Sequence, residues 1–268
     1  MQFGLAAWGL REESLESQLA MAQKLGVDLL EFSIANYSKD LQLDASCEEL
    51  DAVKKAFAEY GVRLECGCTG NDFGGDDVDE QVAKVKKVID IAAYLGIKYL
   101  RIFSSFCSDR FVIGDRFVKM CEALKTVNDY AKTKNITLCV ETHGGVSGIG
   151  NDVIVHTHSP STRIDYLQKM LETGVSINFD PANLSAVGVT SVIAFYELFK
   201  SSIPYVHLKD FRDVEGGVVP SYCGNGRLDY KELMAVLKDF AGPVMIEYEP
   251  TEDVEDGMRK SLEFVRSL

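Results

Sequence analysis

Apolar residues recur along this chain in two alternating rhythms. Short, nearly continuous apolar runs begin near residues 3, 28, 63, 98, 137, 176, 205 and 244. After a polar stretch, each is followed by a longer segment whose apolar positions fall three and four residues apart, the spacing of an amphipathic helix. The first helical segment, SLESQLAMAQKLG (14–26), places Leu15, Leu19, Ala22 and Leu25 on one face and stops at Gly26, a residue at ease in the left-handed geometry that ends helices. VDLLEFSI then reads as a strand. The same unit returns through VRLECGC, IKYLRIF, ITLCVET, VSINFD, PYVHLKD and PVMIEYEP, and EDGMRKSLEFVRSL closes the chain as a helix, so the pattern predicts eight strands and eight helices. Solenoids share a period of this length, but here each unit pairs one apolar strand with one long helix instead of a leucine ladder. Strands apolar on both faces belong to a parallel sheet covered by helices. Eight such units predict an α/β (β/α)8 TIM barrel, with residues 1–268 forming one domain. The first strand is followed by no Gly-rich fingerprint that would favour an open doubly wound sheet.

The connections are unequal. Helix-to-strand links are one or two residues around a glycine or asparagine, whereas the links after strands 3 to 8 are long, among them SSFCSDRFVIG, THGGVSGIGNDVIVHTHSPST and KDFRDVEGGVVPSYCGNGRLD. A barrel carries its function on the side where its strands end, so loop length marks the catalytic face. VIVHTHS within the second of these loops reads as a strand-like hairpin over the pocket.

Composition narrows the function. A formal net charge of -13 argues against a nucleic-acid partner, whose phosphates are held by lysine and arginine. There is no run of about 18 apolar residues, so no membrane span is expected, and MQFGLAAWGLREE lacks the basic and apolar regions of a signal peptide, which points to the cytoplasm. Seven cysteines, an odd number without a compact framework, read as free thiols. Cys66 and Cys68 share a strand face and are read as small buried filler, with a metal pair as the alternative.

The last four strands carry the chemistry. TLCVETHGG, VSINFDPANLS, YVHLKDF and PVMIEYEP bring Glu141, Asp180, His207 and Glu247 to the C-terminal ends of consecutive strands. A carboxylate in an apolar strand costs several kcal/mol to bury unless its charge is compensated, and a divalent ion does so directly. Such an ion would polarise a carbonyl and stabilise an ene-diolate, so the four residues predict a metal site with Glu141 and Glu247 as acid and base. Transfer between opposite faces would make an epimerase, and transfer on one face an aldose–ketose isomerase. His143, two residues beyond Glu141, and Lys209, in phase with His207, are expected to face a sugar or polyol substrate. Glu31, Arg212 and Trp8 are further substrate candidates, and Phe106 is a second stacking ring. Two readings remain open: Asp210 as a ligand for a second metal, and the glycines of CGNGRLD as a phosphate cradle.

The set ETHGG, FDPAN, HLKD and IEYEP, followed by EDGMRKSLEFV, resembles the sugar phosphate isomerase/epimerase family of xylose-isomerase-like TIM barrels. The resemblance implies one divalent ion, manganese first and magnesium, cobalt or zinc as alternatives, on Glu141, Asp180, His207 and Glu247. It also implies pairing into homo-oligomers. Ketose 3-epimerases of that family have a histidine where this chain has Asn183, placed here at the substrate, and a glutamate where it has Ser147. Three rival readings are a metal-dependent keto-polyol dehydratase, the DNA-cleaving endonuclease branch of the fold, and a sugar-binding protein without turnover.

Overall fold

The computed structural model describes residues 1–37, 39–150 and 152–268. Its strands are, in chain order, β1 (Gln2–Leu5), β2 (Leu29–Ser33), β3 (Arg63–Cys68), β4 (Tyr99–Ile102), β5 (Thr137–Glu141), β6 (Gly145–Gly150), β7 (Val153–Thr157), β8 (Ser176–Phe179), β9 (Tyr205–Leu208), β10 (Asp210–Val214), β11 (Gly217–Ser221) and β12 (Pro243–Ile246). The eight that correspond to the apolar runs pair in parallel and close into a barrel in the order β1-β12-β9-β8-β5-β4-β3-β2. Closure falls on β1, which pairs with β12 from Gln2↔Pro243 to Leu5↔Ile246 and with β2 at Leu5↔Leu30.

Around the barrel run α1 (Leu15–Lys24), α2 (Cys47–Tyr60), α3 (Val78–Leu95), α4 (Asp115–Thr133), α5 (Ile164–Leu171), α6 (Pro181–Ala186), α7 (Val192–Phe199), α8 (Tyr230–Leu237) and α9 (Val254–Arg266). Their ends follow local chemistry. Ser46 and Glu49 form a reciprocal capping box at the start of α2, and Gly61 ends it at φ 66, a left-handed conformation that glycine adopts without steric cost. Asn135, at φ 59, makes the same turn between α4 and β5.

Most of the apolar surface is buried between sheet and helices. A smaller separate cluster, formed by Ala6, Leu29, Cys66, Cys139, Tyr205 and Met245 with Tyr99 against it, plugs the barrel. Side chains on a strand return to one face every second residue. Two positions beyond Leu29, Tyr99, Cys139, Tyr205 and Met245 stand Glu31, Arg101, Glu141, His207 and Glu247, all buried. The barrel interior therefore passes from an apolar layer to a charged one toward the C-terminal ends of its strands.

The other four strands form an antiparallel sheet in the order β10-β11-β7-β6. The β6–β7 hairpin matches the expectation for VIVHTHS; β10, β11 and α6 lie where the sequence reads as loop. DFRDVEGGVVPS is strongly polar because much of this sheet faces solvent, and PANLSA is too short for helical periodicity to register. Phe211 and Val218 of the sheet pack on Ala182 of α6, so the short helix anchors the cover.

Candidate functional site

Each of the four candidate ligands reaches the mouth by a local device. Glu141 ends β5, and His207 is the third residue of β9. Glu247 directly follows β12, its amide bonded to the carbonyl of Leu208 at 2.9 Å. Asp180 follows β8 as the N-cap of α6, where Pro181 takes the first helical position that tolerates it. Oδ1 of Asp180 accepts from the amide of Asn183 at 2.9 Å, and the Asp180 amide donates to Thr142 Oγ1 at 2.8 Å, tying the turn to the end of β5. One donor atom from each of the four lies within 4.8 Å of the others.

Oriented polar partners surround the four. Asn183 Nδ2 donates to Glu141 Oε1 at 3.1 Å, and Arg101 Nε lies 3.3 Å from Glu141 Oε2. The Lys209 ammonium sits 3.3 Å from Asp180 Oδ2, 3.0 Å from Glu247 Oε1 and 2.7 Å from Glu249 Oε1. Beneath them, Glu31 accepts from Tyr205 Oη at 2.6 Å and from the Ala7 amide at 3.1 Å, and pairs with His207 Nε2 at 3.1 Å.

Buried charge sets the protonation. Burial alone would raise Glu31, but the His207 and Arg101 charges with hydrogen bonds from His207 and Tyr205 bring it down to about 2. Burial likewise opposes charge on His207, yet Glu31 and Glu247 outweigh it and push the imidazole up to about 10. Burial carries Asp180 up to about 7 despite Lys209, and it also raises Glu141. In Glu247 the pull of Lys209 and His207 exceeds the burial effect and lowers the carboxyl well below its usual range.

The donor set fits a divalent cation. Five carboxylates, Glu31, Glu141, Asp180, Glu247 and Glu249, share the permanent charges of Arg101 and Lys209. Asp180 Oδ2 and His207 Nδ1 are buried without a well-aligned hydrogen bond, the first only facing the Lys209 ammonium at 3.3 Å and the second the Glu247 carboxylate at 2.9 Å. With Nε2 donating to Glu31, Nδ1 of His207 faces the same space, where its proton meets Glu247 Oε2 at 2.9 Å. A metal ion at that point would take both atoms as ligands and replace the proton on the imidazole.

Above the four residues lies a cavity of about 550 Å³. Of the residues singled out in the sequence, Glu141, Glu247, His143, Lys209, Trp8 and Phe106 border it. Glu31, Asn183 and Arg212 are elsewhere. Glu31 and Asn183 lie behind the cavity, committed to His207 and Glu141 respectively, and Arg212 is exposed on β10. His156 reaches the cavity but His158 does not; its Nδ1 meets Thr162 Oγ1 at 3.0 Å. All seven cysteines are free.

Arg101, Glu249, Tyr205 and Phe103 are absent from the sequence-based expectation. Three of them obey the rule that found the others. Arg101 is a charge inside the apolar run KYLRIF, while Tyr205 and Glu249 share strand phase with His207 and Glu247.

A family model described as xylose isomerase-like TIM barrel matches residues 19–268. No curated protein matches the sequence. Among solved structures, the probable 3-DHS dehydratase AsbF from Bacillus anthracis superposes with a TM-score of 0.79 at 12% identity, covering 99% of each chain. The 3-keto-D-glucoside 4-epimerase YcjR from E. coli gives 0.75 at 16%, covering 100% of both. The IolI protein, solved with a binding zinc atom, gives 0.76 at 16%, covering 100% of this chain and 97% of its own. At these identities the likeness is one of fold. Among the described residues, no helix is long and apolar enough to cross a membrane.

Proposed function

We propose that this chain, which belongs to the xylose isomerase-like TIM barrels, is a divalent-metal-dependent isomerase or epimerase of a sugar or related polyol. The observation that carries this reading is a division among the four converging residues: Glu141 and Glu247 border the cavity, whereas Asp180 and His207 lie behind them. All four would hold one ion, with manganese the first choice and magnesium, cobalt or zinc also suited to a set rich in oxygen. When bound, the ion polarises the substrate carbonyl and acidifies the carbon-bound proton beside it.

The two glutamates do the proton transfer. Glu141 is steadied by Asn183 and Arg101, and Glu247 by Lys209 and His207, so each carboxylate meets the substrate in a fixed orientation. If one removes the proton next to the carbonyl and the other returns one to the opposite face, the product is an epimer. If a single glutamate carries the proton on one face from that carbon to the neighbouring carbonyl carbon, while the hydroxyl proton passes from one oxygen to the other, the carbonyl migrates. His143 borders the cavity and would meet a substrate hydroxyl, and Trp8, Phe103 and Phe106 would meet the apolar face of a sugar, while Lys209 holds the carboxylates around it.

The test is solvent exchange. Manganese-restored protein should place deuterium from heavy water on the carbon beside the carbonyl of a ketose or keto-polyol, and chelator-treated protein should not. Glu247→Gln should lower that exchange by about 10²–10⁴-fold while leaving the circular dichroism unchanged. Full exchange in Glu247→Gln would remove that residue from the mechanism. Elimination of water instead of rearrangement would make the enzyme a dehydratase, and no exchange across the panel by metal-loaded protein would end the isomerase reading.

A further inference from the structure

TIM barrels frequently seat a substrate phosphate on backbone amides of the loops after their seventh and eighth strands. In this chain CGNGRLD (223–229) follows β9, the seventh barrel strand, and has the glycines such a cradle needs. Three of its amides, those of Gly224, Arg227 and Leu228, are already engaged by one side chain. The carboxylate of Asp210, 1% exposed, accepts from the amides of Phe211 at 2.9 Å, Arg227 at 3.0 Å and Leu228 at 3.4 Å through Oδ1, and from Gly224 at 3.1 Å through Oδ2. A Cβ at Gly226 would lie 2.2 Å from Oδ1, so the loop closes over this carboxylate only because residue 226 lacks a side chain. The nest holds an anion that the chain supplies itself. Asp210 is thereby also occupied as a structural group and does not join the metal-ligating cluster, contrary to its reading as a ligand for a second ion.

The cations beside the cavity are likewise committed. Among the described residues bordering it, the permanently charged ones are Arg101 and Lys209. Lys209 lies within 3.3 Å of three carboxylates, and Arg101 is 3.3 Å from Glu141 and 3.9 Å from Glu31. Phe103, Phe106, Val146 and Ile154 add apolar lining. Five carboxylates against two cations leave the neighbourhood negative even after a divalent ion binds, and a phosphate dianion there would meet net repulsion.

We infer, on the reading of the site given above, that the pocket takes an unphosphorylated sugar or keto-polyol and turns phosphate esters away. The experiment uses matched pairs, each a free ketose or keto-polyol with its phosphate ester, together with inorganic phosphate, on manganese-loaded protein. Binding is followed by titration calorimetry and reaction by deuterium incorporation. The free member should exchange with a kcat/KM at least about 100-fold above that of its ester, and neither esters nor inorganic phosphate should give binding heat at millimolar concentration. An ester that binds or exchanges within about tenfold of its free partner overturns the inference, as does inorganic phosphate that binds and is displaced by the free sugar. If no free compound exchanges while esters still fail to bind, the isomerase reading falls and the exclusion of phosphate stands.

Discussion

Asp180 and Asp210 are two buried aspartates on the same side of the barrel, and their surroundings make opposite use of them. Asp210, the first residue of β10, has both oxygens filled by backbone amides, whose hydrogen bonds pull its carboxyl down against a burial effect that still leaves it raised. Asp180, wholly buried after β8, has one oxygen filled by its own helix cap and the other met by no backbone amide, only by the Lys209 ammonium at 3.3 Å. Burial pushes it up to about 7, Lys209 opposes that, and Glu141 and Glu247 add to it. Equal burial thus distinguishes nothing. What separates a candidate site from a structural anion is whether the protein completes the set of donors around the carboxylate.

The largest effect expected from this contrast falls on the satisfied member. Asp210→Ala strips several amides of the charge that organises them, and buried donors left unmet cost about 1–3 kcal/mol each. Metal-free protein should lose about 3–5 kcal/mol of stability in chemical denaturation, or fail to accumulate in soluble form. A loss below about 1 kcal/mol, the range of ordinary surface changes, would mean that the loop carries its own amides and that the carboxylate is incidental.

Asp180→Asn probes the unsatisfied member and should behave oppositely. The amide keeps an oxygen for the Asn183 cap and removes one charge from a cluster of like charges. Metal-free stability should therefore hold within about 1 kcal/mol or rise, whereas manganese affinity measured by calorimetry should fall at least about 100-fold, since even residues that only orient a ligand are worth about 10–100-fold. If this variant loses as much stability without metal as Asp210→Ala does, the two aspartates are of one kind and the proposed metal site loses its main support.

The barrel was legible in the sequence because burial on both faces writes a parallel strand as an apolar run, and glycines or an asparagine mark the stops before the next strand. Charges at the ends of those runs pointed to Glu141, Asp180, His207 and Glu247, which the fold brings together. Applied evenly, the same reasoning would have reached Arg101, a charge in the middle of an apolar run. The cover sheet was only half visible. VIVHTHS alternates as a hairpin strand should, but β10 and β11 follow HLKD with charges and glycines because their outer face meets water. Contacts across loops leave no periodic trace. That His207 meets Glu31, or that Asp210 fills CGNGRLD, depends on residues brought together only by closure of the barrel and its loops.

Glu31 lies between the two cases, and it gives the smallest and most discriminating expectation. Like Asp210 it is satisfied by the protein, through Tyr205, Ala7 and His207; like Asp180 it adjoins the candidate ligands. If its role is to hold the imidazole with Nδ1 toward the metal, Glu31→Gln leaves one of these donors facing an amide N–H and turns His207 less firmly. Manganese affinity should then fall about tenfold, with KM for the sugar unchanged once metal saturates. A substrate contact would show the reverse split, a raised KM at unaltered metal affinity, although Glu31 does not border the cavity. The outcome therefore decides whether the charged layer of the barrel ends at the four converging residues or extends one shell beneath them, and a raised KM alone would return Glu31 to the substrate.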